Sequence, residues 1–267
     1  MPFVISPNIW NIVSKYLKSK KSIERKHNDK MMINLDSPEQ FEEIFWNLKT
    51  SEKYIFKDHL KYHQIDKYNL DLYELFIKNC LVKYKKFNYL CKNNNSLLRI
   101  KSLIDKFPKA KFLLSFRNPL DHSISLLKQN INFSNLQKKD NFAKKYMNYL
   151  VHHEFGLNQK QMNFENKPKS SIKKDNINYW LEQWINFYGH ILKKKLNQKE
   201  GVLLVNFETI CNSTSDELKK ITNFFSEDFF KDLPKNYFSY KSYDQKEFSF
   251  DSKLKEEAFK IIKEFKI

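Results

Sequence analysis

Glycine is the scarcest resource in this chain. Among 267 residues there are three, Gly156, Gly189 and Gly201, and none lies in the first half. Turns there that need a left-handed backbone, or a backbone that closely approaches a bound anion, lack the residue that permits them most easily. Cysteine is equally sparse. Cys80, Cys91 and Cys211 are scattered without metal-ligand spacing, and an odd number argues against a disulfide framework, so a reducing compartment is the simplest expectation. Arginine is nearly absent, with Arg25, Arg99 and Arg117 the only three among 48 basic residues. No apolar run is long enough to span a bilayer, and the opening MPFVISPNIW lacks the basic-then-apolar pattern of a secretory signal. These absences lead us to expect a soluble, cytoplasmic protein with no membrane span.

What remains is sufficient for a substantial core. Hydrophobic residues make up 41% and aromatics 16%, which argues against wholesale disorder despite 30% charged residues. No composition shift marks a boundary, so residues 1–267 are read as one domain with insertions. The formal charge of +17 raises the question of nucleic acid. The same chain, however, is crowded with Lys, Asn, Ile and Phe, the bias of an AT-rich genome. Much of the positive charge is then a solvated surface, and no dedicated nucleic-acid site is expected. Where lysine is the default, a retained arginine hints at a site needing a planar, bidentate fork.

Periodicity predicts a helix at Asn8–Leu17 and another opening at Ser37-Pro38 with acids in its first turn. Tyr54–Leu60 is ambiguous, with a possible strand at Lys53–Lys57, and Leu72–Tyr84 is a clear helix after cap signals at Asn69 and Asp71. Phe133–Lys139 reads as a polar connection, Asn141–Phe155 as a helix closed by Gly156, and 157–175 as an exposed loop. Asn176–Leu196 is an aromatic helix whose stripe, Trp180, Trp184, Phe187, Tyr188 and Ile191, should pack against a sheet. Gly201 opens the strand VLLVNFE, apolar enough to be buried on both faces. Ser213 or Ser215 would cap the next helix, and Asp251 or Ser252 a Lys/Glu-rich closing helix.

The stretch Phe87–Gln129 carries the chemistry. Two β-rich runs, Phe87–Cys91 and Lys111–Phe116, flank a helical segment and a second helix follows, so the stretch reads as a βαβ unit with polar strand ends. Ligands bind at the carboxyl ends of strands in open parallel sheets, which is where Lys92, Asn93, Asn94, Arg117 and Ser125 fall. In FRNPLDHSIS, residues 116–125, Pro119 suits a first helical turn and Ser125 lies eight residues after Arg117. An anion there would meet backbone N–H groups, the helix macrodipole, a guanidinium and a hydroxyl. The structural alternative is that Arg117 pairs with a carboxylate and Ser125 bonds back within its helix.

The sequence Arg117-x-Pro119 followed by Ser125 after an apolar strand resembles the 3′-phosphate-binding motif of the sulfotransferases. The preceding KNNNSLLRIKSLIDKFPKAKFLLSF is similar to that family's Lys-bearing turn, helix, Phe-Pro connection and strand, and YMNYLVHHEFG, YWLEQWINFYGHI and VNFETIC resemble later blocks of a bacterial subgroup. The likeness extends to MPFVISPNIWN and LDSPEQFEEIFW, so it covers most of the chain in order. It implies an α/β fold of P-loop NTPase type: three layers, a short parallel sheet with helices on both faces. It also implies the co-substrate 3′-phosphoadenosine 5′-phosphosulfate, with no metal, and a hydroxyl or amine acceptor. One element departs. The family holds the donor's 5′-phosphosulfate in a Gly-rich loop near its N-terminus, and no such loop occurs here. The chain is therefore expected to lack the first strand, phosphate loop and first helix, through truncation or a split gene, and to turn over weakly or not at all alone.

The resemblance assigns Arg117 and Ser125 to the 3′-phosphate, Asn94 to donor binding and Lys92 to the charge developing on the leaving phosphate. Asn94 stands where the family's cytosolic members carry their basic histidine, so a base must come from elsewhere. Candidates are His59, His122, His152, His153 and Glu154, of which His59 and His153 are carried forward as catalytic. Arg99 is expected either to meet an anion or to pair with a neighbour such as Asp105. Two further readings stay open: a non-catalytic module holding a polyanion on its basic face, and a nucleotide phosphotransferase. The second would need a Gly-x-x-x-x-Gly-Lys-Ser/Thr loop that is not present.

Overall fold

The computed structural model of the chain describes residues 23–24, 32–33, 41–165, 168–212, 216–226 and 239–265. The helix expected at Asn8–Leu17, the Ser37-Pro38 start and the Ser213 and Ser215 caps lie outside them. In chain order the elements are β1 (Ile23–Glu24), β2 (Met32–Ile33), α1 (Phe41–Tyr54), β3 (His59–Lys61), α2 (Lys67–Tyr84), a 3₁₀ turn (Asn94–Arg99), α3 (Ile100–Lys106) and β4 (Phe112–Phe116). There follow α4 (Pro119–Lys139), α5 (Asn141–Tyr149), β5 (Gln161–Asn163), α6 (Ile177–Lys193), β6 (Val202–Asn206), α7 (Phe207–Asn212), α8 (Asp216–Phe225) and α9 (Ser252–Phe265). The architecture is mixed α/β and mostly helical, with short parallel strands. Among the described residues the strands form separate pairs rather than one open sheet: β1–β2 antiparallel, and β3–β5 and β4–β6 parallel.

Helix α6 is the central pillar. Its apolar residues recur at helical spacing, and Trp180, Trp184, Tyr188 and Ile191 are buried and Phe187 partly so, but the helix packs chiefly against α4 and α9 rather than against the expected sheet. The Tyr188 hydroxyl donates to Ser115 O on β4 at 2.8 Å, which ties pillar to strand. One continuous apolar cluster takes in residues from Trp46 to Phe265. At its other end lies an ion pair with both side chains fully buried: Arg99 Nη2 donates to Glu43 Oε1 at 2.9 Å and to Oε2 at 3.1 Å. The guanidinium lies 4.9 Å from the ring centres of both Trp46 and Tyr54, and Tyr54 Oη donates to the same carboxylate. Arg99 therefore pairs with Glu43, while Asp105 is held by Lys101.

Several expectations change. Phe87–Cys91 is not a ladder strand, because the described residues offer it no partner strand, and Phe87 and Leu90 are 97% and 86% exposed. α2 starts at Lys67 on an Asp66 cap, earlier than Asn69 and Asp71 suggested. α4 runs through Phe133–Lys139, where buried Phe133 and Gln137 continue the inward face begun by Asn130. α5 stops at Tyr149, six residues before Phe155, and Gly156 sits instead in a turn. There its N–H donates to Asn130 Oδ1, and a Cβ would collide with Gln137. The loop 157–175 contains β5, whose buried Gln161 and Asn163 are polar and so invisible to an apolar scan.

Strand β4 matches its expectation nearly to the residue, and β6 begins as expected after Gly201. At Gly201 φ is +77° and a Cβ would lie 3.1 Å from Ala110 O, so a side chain there would strain the start of both strands. The β4–β6 pair is not buried on both faces, because with two strands Leu113 is left 41% exposed. Asp251 caps α9 by accepting from Lys253 and Leu254 N–H.

Removing either partner of the buried pair strands a charge. Glu43→Leu or Arg99→Met alone should cost about 3–5 kcal/mol in urea unfolding, and the double variant less than the sum of the two.

Candidate functional site

Parallel pairing in register sets the geometry. Phe116 on β4 lies opposite Asn206 on β6, so the two strands end at the same level and their following residues meet. Asn206 caps α7 by accepting from Glu208 and Thr209 N–H, which swings the Glu208 carboxylate toward the end of β4. Arg117 emerges there. Its Nε lies 3.8 Å from Glu208 Oε1, its guanidinium lies 5.5 Å from the Phe207 ring centre, and Nη2 donates to Lys241 O at 3.3 Å. The fork is 19% exposed, and its buried Nε has no hydrogen-bond partner among the described residues. Among the described residues, one of its five possible donors makes a hydrogen bond, and that one is long.

The start of α4 is as the motif predicted, with Pro119 in its first turn and Asn118 as cap. The Asn118 side chain accepts from Leu120 and Asp121 N–H, and Asn118 N–H donates to Glu208 Oε1 at 2.8 Å. Those amides are therefore already served, and an arriving anion would exchange with Asn118 Oδ1 or Glu208. Ser125 is half-buried on the same helix, two turns on. Asp121 is buried and accepts from Tyr243 N–H and Gln245 Nε2, so a strap from 241 to 245 crosses the helix start. Lys128 Nζ lies 4.5 Å from the Tyr243 ring centre. His122 stands beside Arg117, and burial, with the Arg117 charge adding to it, pushes its pKa down to about 4.

A second group gathers around Lys92. Lys92 is exposed in the loop before the 3₁₀ turn, and Asn94 is exposed as that turn's first residue. The charge of Lys92 reaches Glu154, whose Oε2 lies 3.7 Å from His152 Nδ1. Burial raises the Glu154 pKa, but bonding and charge from His152, with a lesser contribution from Lys92, outweigh it and hold the carboxyl below its usual range. His153 faces inward at 8% exposure, and burial, then Lys160, pushes it down to about 4. His59 lies elsewhere. Because α1 runs through Tyr54, His59 opens β3 rather than following a strand, so it sits at the amino end. Its Nδ1 is 2.8 Å from Asp58 Oδ1 and its ring stacks on Phe56. No hydrogen bond or ion pair among the described residues joins Arg117 or Ser125 to Lys92, His59 or His153.

Residues that sequence reasoning missed are Glu208, Asp121 and the adjacent acids Glu42 and Glu43. Glu208 was within reach, since it follows a confident strand at its carboxyl end. A pocket of about 260 Å³ lies apart, lined in part by Glu165, His190 and Lys193, and none of the sequence-derived residues lines it. No helix of the described residues is long and apolar enough to cross a membrane, and none of their His, Cys, Asp and Glu form a group of three or more suited to a metal ion.

Three histidines, His63, His122 and His153, are pushed by burial from 6.5 to about 4. Each binds a proton more readily in the unfolded chain, so its stabilising share is complete above pH 6.5 and is lost as pH falls toward 4. Urea unfolding at pH 5 should show a loss on the order of 1 kcal/mol per ring relative to pH 7.5, and His153→Gln should flatten the slope. No family model matches the chain, and neither the curated proteins nor the solved structures yield a match to it.

Proposed function

We propose that the chain is a sulfotransferase-family domain of P-loop NTPase-like fold. In its intact form it would move a sulfuryl group from 3′-phosphoadenosine 5′-phosphosulfate to a hydroxyl or amine acceptor. The observation that carries this reading is Arg117. It stands at the carboxyl ends of two parallel strands, beside a helix that opens with proline, and its fork is held by one long hydrogen bond and one loose ion pair. A structural arginine is usually saturated; among the described residues this one has donors left for an oxyanion. The 3′-phosphate would engage Arg117 and Ser125, displacing Glu208 from the guanidinium.

Lys92 would stabilise charge on the leaving phosphate, with Asn94 beside the donor. Among the base candidates, Glu154 is the one the Lys92 charge reaches, with His152 3.7 Å from its carboxylate, whereas His153 is buried and His59 sits at the amino end of β3. In-line transfer of this kind rests on positioning and charge stabilisation. Without a Gly-rich loop for the 5′-phosphosulfate, the chain alone should bind the donor weakly and turn over little.

Calorimetry with 3′-phosphoadenosine 5′-phosphate tests the reading. Arg117→Lys should weaken binding about tenfold or more, as the loss of one charge-assisted hydrogen bond implies. Adenosine 5′-phosphate, lacking the 3′-phosphate, should bind both forms equally poorly. Equal affinity of both forms for the 3′-phosphorylated nucleotide would refute the assignment. Salt-sensitive capture of polyanions indifferent to Arg117→Lys would favour the binding module.

A further inference from the structure

The run Tyr89–Asn93 alternates. Tyr89, Cys91 and Asn93 reach acids of α1, Cys91 while the residue itself stays exposed, and Leu90 and Lys92 between them are exposed without such bonds. Tyr89 Oη donates to Glu42 Oε1 at 2.7 Å, the Cys91 thiol donates to Glu42 Oε2, and Asn93 Nδ2 donates to Glu43 Oε2 at 2.8 Å. Glu42 also accepts from Tyr73 Oη on α2, and Glu43 from Tyr54 and Arg99. Both acids stand in the first turn of α1, are 5% and 0% exposed, and lie where the helix macrodipole favours negative charge.

We infer that Glu42 and Glu43 form a buried carboxylate latch that takes the place of a strand ladder in fixing this loop, and are thereby positioning residues for Lys92. This rests on the catalytic role proposed for Lys92, although the latch itself does not. Three donors from one short segment fix its height and rotation, and Lys92, between the second and third, is held outward as a consequence. Without the latch, the loop would present its ammonium over a range of positions, since the described residues supply no backbone pairing for it. Nothing in the acids' own chemistry touches substrate.

The Cys91 thiol reports the latch. The residue is exposed, but local burial at the sulfur and then the Glu42 carboxylate that accepts from it push the thiol pKa up, so the docked thiol should alkylate slowly. In a Cys80→Ser/Cys211→Ser background, Glu42→Gln should label at Cys91 with iodoacetamide about tenfold faster, since a carboxamide offers one acceptor oxygen to three donors. Tyr89→Phe, which deletes a single hydroxyl at the loop, should also speed labelling and keeps the test open should Glu42→Gln fail to fold. Labelling as slow as in the parent in a folded variant would overturn the latch. The positioning role is read from affinity for 3′-phosphoadenosine 5′-phosphate: Glu42→Gln and Lys92→Ala should each weaken it, and the double variant no more than Lys92→Ala alone. Additive losses would overturn that role. If Arg117→Lys leaves the affinity unchanged, the donor site fails, while the labelling rate still decides the latch.

Discussion

A carboxylate and a guanidinium taken wholly out of water persist only if the surrounding structure leaves neither any alternative, and the Glu43–Arg99 pair imposes that condition on one end of this molecule. To meet it, α1, the 3₁₀ turn and the segment leading out of β3 close around the charges. Trp46 and Tyr54 flank the guanidinium, and His63 stacks on Tyr54 at 4.9 Å. The consequences spread through electrostatics. Arg99 adds to the burial that keeps His63 neutral, and the neighbouring acid Glu42 becomes an anchor for hydroxyl and thiol donors, two of them on the Lys92 loop. The most buried interaction thus sets the conformation of one of the most exposed candidate residues.

The Arg117 corner follows a different rule. Two parallel strands ending in register bring Arg117 and Glu208 together. In the proposed donor site, an anion arriving at Arg117 would exchange with Glu208. The looseness of the contact, with Nε 3.8 Å from the carboxylate, keeps the free-energy cost of such an exchange low. Across the same helix start, the 241–245 strap couples the chain's later segment to this corner through Asp121.

Legibility in the sequence tracked the kind of signal available. The stripe Trp180, Trp184, Tyr188 and Ile191 declared a buried face because large apolar side chains recurring at a 3.6-residue period line up only on one side of a helix. β4, the cap at Asp251 and the Pro119 helix start were legible for the same reason, being local rules stated in adjacent residues. Phe87–Cys91 misled because a β-rich run becomes a strand only beside a partner strand: here Tyr89, Cys91 and Asn93 bond instead to carboxylates some 50 positions earlier. β5 was hidden because its inward residues are amides. Glu42 and Glu43 read as ordinary acids of a helix start, and only their burial distinguishes them.

The sequence by itself determined the helical pillar, the β4 strand, the Arg117-x-Pro119 turn with Ser125 two turns along, and the want of glycine that denies the first half a phosphate loop. Each of these follows from backbone and side-chain preferences acting over a few residues. Tertiary structure alone decided that Arg99 would meet Glu43 rather than Asp105, that Glu208 would stand against Arg117, and that the Lys92 loop would be held by acids from α1. Charges choose partners by distance in space and by exclusion from water, and neither quantity is written in the order of the chain.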